Sequence, residues 1–266
     1  MSGGSDSGSH ESGTATFWDH LDELRSCIIR ILVVTAVFAM AAFAFKEPLF
    51  DVVLAPSHSD FISYRVLHLP PFKLSLMNTG LTEQFMIHIR VAFYSGLLLA
   101  SPYVIYQLFG FVSPALYDNE RRPAVRVVSS AYVMFLLGTA VNYFLVFPLT
   151  VRFLGTYQVS SEVSNILTIQ SYADTLLSMS LVLGVVFELP VLSWLLALMG
   201  ILKSEYMTRY RRHAFITILI VSAIITPTTD AFTLFVVALP IWLLYEASIQ
   251  IVRITNRHKV LKNNNP

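Results

Sequence analysis

Over 266 residues, 55% of the side chains are hydrophobic and 13% charged, and the mean hydropathy is +0.63. That is too apolar for a water-soluble domain and fits one polytopic membrane protein. The net charge of +1 gives no sign of a nucleic-acid partner, and the single cysteine, Cys27, excludes an intrachain disulfide and a thiol-based metal site.

Residues 1–16 are rich in Gly, Ser and Thr, with no basic run and no apolar core, so they read as a disordered tail and not as a signal peptide. Next come Phe17, Leu21 and Leu24 at helical spacing, with Asp22, Glu23 and Arg25 off that stripe. This pattern predicts an amphipathic helix that enters the membrane from the water interface. It leads into a first span over residues 26–45, whose Arg30 reads as a side chain snorkelling back to the headgroups.

Residues 46–82 contain Pro56, Pro70 and Pro71 and are too polar to span and too long for a simple turn. A second span is expected over 84–109, with a kink at Pro102. Arg90 within it reads as a snorkelling flank in preference to a lining residue. Residues 109–126 then form a polar, Pro-punctuated connector. Ser113-Pro114 and Arg122-Pro123 break helix on either side of Glu120, because a residue before proline is pushed out of the helical region.

Further spans are expected over 126–147, ending near Phe147-Pro148, and over 173–199, which is interrupted only by Glu188. The fifth, over 213–226, is about 20 Å of helix against a hydrocarbon core of about 30 Å, so the bilayer thins there or the following turn sits below its surface. A turn through Pro227 and Asp230 leads to a sixth span over 232–252, and residues 256–266 form a terminal tail. The reading is therefore one all-α membrane domain over 17–255. Most of the 18 Lys and Arg residues fall on the side holding both termini, and only Lys46, Arg65, Lys73 and Arg152 lie opposite. By the positive-inside rule both termini are cytoplasmic, and Glu23 and Glu120 share that face.

Catalysis finds no footing, because no HExxH, GxSxG, Walker A or GxGxxG motif occurs and the histidines lack zinc-ligand spacing. No metal or cofactor is expected. Glu188 stands out, since a carboxylate near mid-span calls for a partner, a cavity or water. It reads as facing a polar working cavity in preference to a protonated packing residue, with Pro190 bending the helix beside it. Glu246 is read as a solvated end residue without a role. Two carboxylates on one face, Glu23 and Glu120, suit a basic ligand, and arginine pairs with carboxylate in a planar bidentate geometry that lysine cannot copy.

Six stretches in order resemble the TatC family, the multispanning receptor subunit of the twin-arginine protein translocase. They are residues 20–25 (HLDELR), 100–107 (ASPYVIYQ), 111–117 (FVSPALY) leading to Glu120-Arg121-Arg122, 143–148 (YFLVFP), 187–190 (FELP), and Ile225-Thr226-Pro227 through Asp230. The resemblance implies six helices in a concave cup, with short fifth and sixth spans. It also implies docking of folded proteins whose signal peptide carries consecutive arginines. Glu23 and Glu120 match the positions that engage those arginines. Phe111, Pro114, Leu116 and Tyr117 match the loop motif beside them, and Arg25, Arg121 and Arg122 match positions to which no separate role is assigned. Glu188 matches an intramembrane glutamate facing the cup, and Pro56 matches a proline of the first exterior segment.

At the exterior hairpin, residues 226–230 (TPTTD) are longer than the Thr-Pro-Pro-Asp of some members, which loosens the match of Pro227 and Asp230. The partners implied are twin-arginine signal peptides, single-span TatA and TatB proteins, further copies of the chain within a receptor complex, and the lipid bilayer, with transport driven by the proton-motive force. The location implied is the bacterial inner membrane. The rival class is a proton-coupled secondary transporter with Glu188 and Arg90 along its path, but the inverted repeats typical of that class are missing.

Overall fold

The computed structural model describes residues 11–112, 121–158, 160, 166–226 and 230–263. Its first element, α1 (Glu11–Ala44), is a single helix of 34 residues, about 51 Å long. It joins the amphipathic stretch to the first span and begins inside the segment expected to be disordered. Elongating a formed helix costs far less than nucleating one, so the helix of the first span can run on into polar sequence. Cys27, Thr35 and Ala42 are buried, whereas Leu32 is 57% and Met40 68% exposed. An apolar outer face of this kind is what lipid contact requires.

The end of the molecule reached after α1, called the far end here, is built from short pieces. After α2 (Lys46–Leu54) come a 3-10 turn at Ala55–Ser57, α3 (Ile62–Val66) and β1 (Ser75–Met77). Strand β1 pairs in parallel with β2 (Ile166–Thr168), Ser75 opposite Ile166 and Met77 opposite Thr168. This small sheet ties together two far-end segments that are distant in sequence, and it is the one departure from an all-α reading among the described residues.

α4 (Glu83–Val112) returns to the near end, where α1 began. Pro102 sits inside it; the carbonyl of Leu98, which would have bonded the missing N–H, accepts the Ser101 hydroxyl at 2.6 Å. The next span does not stop at Phe147-Pro148 as the sequence suggested. α5 (Arg121–Val141) passes through a π-helical turn at Asn142–Val146 into α6 (Phe147–Thr156). The wider turn absorbs Pro148, and the Phe144 carbonyl, four residues before that proline, accepts the Ser63 hydroxyl. A proline read as a stop is thus a register shift inside a continuous helical path.

α7 (Ile169–Val186) begins with a cap, Thr168 Oγ1 accepting the Ser171 N–H at 3.1 Å. It gives way to α8 (Leu189–Leu198) through a tight turn at Phe187-Glu188, with Pro190 in the first turn of α8. α9 (Ser204–Arg209), α10 (Arg211–Ile225) and α11 (Ala231–Asn263) complete the chain. α11 extends through most of the expected terminal tail. Asp230 Oδ1 accepts the Thr233 N–H at 2.7 Å and so caps its start.

Five stretches are long and apolar enough to cross a membrane: Leu21–Ala44, Glu83–Phe111, Val127–Thr156, Ile169–Leu198 and Ala231–Arg257. α10, at 15 residues, is shorter. Three apolar clusters hold the helices together. Ile87, Phe147, Val151 and Leu176 pack at the far end, Met179, Leu183, Ile218 and Ile241 join α7, α10 and α11, and Val127, Ala131, Val191 and Leu195 lock α5 to α8.

Candidate functional site: an acidic cleft at the near end

On α1, residues 22, 23, 26, 27 and 30 share one helical face, since they recur at spacings of three and four. In the structure, Asp22, Glu23, Ser26, Cys27 and Arg30 form one wall of a cleft of about 890 Å3. The end of α4 supplies Tyr106, Gln107, Phe109, Gly110 and Phe111, and the start of α5 supplies Val125, Val128 and Ser129. α1 and α4 approach closely deeper in the molecule, where a Cβ on Gly96 would come within 2.5 Å of the Ala39 backbone nitrogen. Only glycine permits that contact, and it holds the two walls of the cleft in register.

The cleft has carboxylates at its outer part, aromatic and apolar surface on α4 and α5, and polar groups from Gln107, Ser26 and Ser129 between them. Gln107 is itself held, donating from Nε2 to the Tyr103 hydroxyl at 2.6 Å. Such a surface suits an extended cationic segment followed by apolar residues. Cys27 is buried in the wall and acts as a small packing residue. Among the described residues no group of three His, Cys, Asp or Glu side chains could hold a metal ion.

Of the residues singled out in the sequence, Glu23 and Phe111 meet in this cleft. Arg25 lies next to it along α1, is exposed, and is not part of its lining. Arg121 and Arg122 fall in the first turn of α5. Pro114, Leu116, Tyr117, Glu120 and Pro227 lie outside the described residues.

Glu188 stands apart from the cleft, at the turn between α7 and α8, half-buried, with Oε1 shielded from solvent and bonded to no described residue. Pro56 is buried in the 3-10 turn after α2 and acts through its carbonyl, which accepts the Tyr64 hydroxyl at 2.8 Å. The Glu246 carboxylate is paired, 2.8 Å from the Arg211 guanidinium, so it fastens α11 to α10 and is not a free solvated end.

Two far-end features escaped the sequence reading. Arg90 does not snorkel as an isolated flank; its guanidinium meets both carboxylate oxygens of Asp174, at 2.6 and 2.7 Å. Glu83, just ahead of the expected second span, gathers the far end. Its Oε2 accepts the backbone N–H groups of Thr79 and Gly80 at 2.8 and 2.7 Å and the Thr79 hydroxyl at 3.1 Å, and Oε1 accepts the Gln170 N–H at 3.2 Å. The Thr-Gly-x-Thr stretch just before a helix-opening acid carried part of that signal, because an acid there can reach back to unpaired N–H groups. The link to Gln170 had none.

Residues 19–240 match the profile of the family described as Sec-independent protein translocase protein (TatC). The chain belongs to the TatC family. The TatC protein of Koribacter versatilis is 37% identical over 254 residues, covering 92% of this chain and 88% of that one. The TatC protein of Deinococcus radiodurans is 33% identical over 244 residues, with 92% and 88% covered. A crystal structure of the twin-arginine translocase receptor TatC is 28% identical, with a TM-score of 0.75 over 89% of this chain and 99% of that one. The family indicated by the six motif stretches is the one found. As a TatC protein the chain is a multi-pass membrane component of the Sec-independent protein translocase.

Proposed function

We propose that this TatC chain is the receptor that reads the paired arginines of a signal peptide, and that the near-end cleft is where it does so. The observation that carries the reading is the position of Glu23 beside Asp22 in a cleft whose facing walls, from α4 and α5, bring aromatic and apolar side chains to it. A guanidinium entering there gains charge-assisted hydrogen bonds in a surrounding of reduced dielectric, and the apolar residues that follow it meet Phe109, Phe111, Val125 and Val128. Glu120 supplies the second carboxylate, with Pro114, Leu116, Tyr117, Arg121 and Arg122 framing it as the family motif implies. No bond is made or broken, so the chain acts by recognition and not as an enzyme.

In this reading α10 is a sixth, short span, both termini face the cytoplasm, and the helices form a shallow cup in the bacterial inner membrane. The clustering of Lys and Arg at the near end supports that orientation. Glu188 faces the cup, where its unsatisfied oxygen awaits a polar group of an arriving helix. Single-span TatA and TatB proteins and further copies of this chain complete the translocase, and the proton-motive force drives it. Pro56, Pro227 and Asp230 shape the exterior side.

The test is binding of a labelled twin-arginine signal peptide to the purified protein, beside a twin-lysine control. Removing one charged partner of such a contact costs about 1.5–3 kcal/mol, so Glu23→Gln and Glu120→Gln should each weaken binding roughly ten-fold or more. Equal binding of the two peptides to the unmutated protein, with or without partner subunits, would remove the receptor assignment.

A further inference from the structure

At the far end, α4 and α7 present a charged pair at the membrane boundary. Arg90 lies seven residues into α4 and Asp174 five residues into α7, so the pair sits about 7–10 Å inside the start of both spans. The two side chains are 46% and 40% exposed. Charge at that depth and exposure needs water or lipid headgroups beside it. Arg90 donates to both Asp174 oxygens from Nη1 alone, and among the described residues its Nη2 and Nε have no acceptor. The pair lines a niche of about 670 Å3 together with Tyr94, Ser171, Thr175 and Ser178. Thr175 donates its hydroxyl to the Ser171 carbonyl at 2.7 Å, and Ser178 donates to the Asp174 carbonyl at 2.6 Å, which leaves both hydroxyl oxygens as acceptors. The niche therefore offers a guanidinium fork to an anion and, beside it, a carboxylate and two hydroxyl oxygens to a cationic donor.

Tyr94 also lines a second cavity, of about 440 Å3, between α2, α4, α5 and α7. It lies deeper, since α4 contributes residues 94–99 to it and α7 residues 176–181. Leu49, Val52, Leu98, Leu136 and Leu177 are among its walls. Three of the hydroxyls there are already engaged. Tyr143 donates to the Val52 carbonyl at 2.7 Å, Thr139 donates to the Phe135 carbonyl at 3.1 Å, and Ser180 Oγ accepts the Asn142 amide at 2.8 Å. An extended peptide entering this space would find few partners for its N–H and C=O groups, and a helix 10–12 Å across would exhaust the volume in about one turn. An acyl chain is narrow and makes no such demand.

We propose that this face holds one glycerophospholipid whose headgroup carries a primary amine, as in phosphatidylethanolamine. Its phosphodiester meets Nη2 and Nε of Arg90, its ammonium meets Asp174, and one acyl chain fills the cavity below Tyr94. Phosphate accepts from the planar guanidinium fork in a bidentate manner. A primary ammonium can donate to the carboxylate, whereas a quaternary choline has no N–H and a glycerol headgroup has no positive charge. The bound lipid packs between α2, α4, α5 and α7 as a part of the fold. The site lies at the opposite end from the near-end cleft and does not depend on the receptor reading.

The experiment uses the full chain, purified and delipidated in detergent. It is titrated with phosphatidylethanolamine, its mono-, di- and trimethylated forms, and phosphatidylglycerol, all of one acyl composition, and bound lipids are counted by native mass spectrometry. The expected result is one phosphatidylethanolamine per chain, held roughly ten-fold more tightly than the trimethylated lipid or phosphatidylglycerol, with the main loss at the last methylation. In Asp174→Asn that preference should collapse. In Leu136→Trp, which fills the cavity, all the lipids should bind more weakly with their order kept. Thermal unfolding checks that each variant is folded, and the methylation series on the unmutated protein decides the matter if one is not. Equal binding of all the lipids, a preference that survives intact in Asp174→Asn, or unchanged binding in Leu136→Trp overturns the proposal. A twin-arginine signal peptide is added last. A lipid that stays bound beside the peptide supports the site, and a lipid expelled by it would assign the cavity to the apolar segment of the peptide and overturn the proposal. The lipid titrations contain no peptide, so failure of the receptor reading leaves their outcome untouched.

Discussion

Tyr64 is 1% exposed, and its hydroxyl lies 2.8 Å from the Pro56 carbonyl and 3.1 Å from the Pro148 carbonyl. Those two prolines belong to separate far-end segments, so one phenol spans them. Its ring meets Phe72 edge-on at 5.0 Å, and the Arg152 guanidinium lies 5.8 Å from the other partner of that contact, the Phe72 ring. Tyr64→Phe keeps the ring and leaves both carbonyls without their donor, which should cost about 1–3 kcal/mol, read as a lower midpoint of thermal unfolding in detergent. The same side chain sets a pH dependence. Burial pushes the Tyr64 hydroxyl well above the ordinary tyrosine range, with nearby Arg152 opposing in part. The folded state therefore favours the neutral phenol. Its contribution is fully present below the unfolded value of about 10 and is lost as pH rises beyond that. Between pH about 9 and 11 the unmutated protein should lose stability more steeply than Tyr64→Phe; parallel profiles would show that the Tyr64 hydroxyl ionises alike in the folded and unfolded chain and that burial does not hold it neutral.

At the scale of elements, the packing of α5 on α7 depends on a missing side chain. A Cβ on Gly138 would sit 2.6 Å from the Leu183 carbonyl oxygen and 2.8 Å from Phe187 Cβ. The first of these is backbone and cannot rotate away. Gly138→Ala should force the helices apart at the turn that carries Glu188, at a cost of about 1–3 kcal/mol. A Cβ on Gly110, near the end of α4, would meet no described residue within 4 Å. There the same substitution should stabilise by up to about 1 kcal/mol, because alanine is the better helix former. Thermal unfolding of the two variants side by side checks the pair, and equal shifts would mean that close approach is not what Gly138 provides.

What the sequence made legible follows from the same division. Long apolar runs reveal spans, because a lipid-facing helix must be apolar along its whole length. The turn through Asp230 marked where the last helix begins, and Asp230 caps it; the cap at Thr168 was not read in advance. The pairing of Arg90 with Asp174 and the hold of Glu83 on Gln170 join groups 84 and 87 residues apart, and no local pattern encodes such pairs. Phe147-Pro148 was misread for a related reason. A proline ends a helix unless its orphaned carbonyl finds a donor, and the donor, Ser63, lies on another element. At the site, Glu23 stood out as an acid on an amphipathic helix. That Arg30, Gln107 and Ser129 would share its cleft depended on three helices meeting.

For the whole molecule, the lengths of the spans disagree with one another, and that disagreement predicts how the protein responds to its bilayer. α1 and α11 have 34 and 33 residues, whereas α10 has 15 and lies between Arg211, which is paired with Glu246, and the turn leading to Asp230. At 1.5 Å per residue α10 covers about 22 Å, against a hydrocarbon core of about 30 Å. The long helices can match a thin bilayer by tilting or by extending beyond it; the short one can match a thick bilayer only by drawing lipid inward or pulling charged Arg211 below the headgroups. The mismatch is one-sided, so stability should depend on bilayer thickness in one direction. Reconstituted into phosphatidylcholines of increasing acyl length, the protein should unfold at progressively lower temperature once the core exceeds the reach of α10. Substituting Arg211 by glutamine breaks the pair with Glu246 and also removes the charge that resists being drawn inward. The variant should therefore be less stable in thin bilayers yet show a shallower dependence on thickness. An unfolding temperature that stayed constant or rose with acyl length would show that α10 does not span the membrane alone, and that neighbouring helices shield it from lipid.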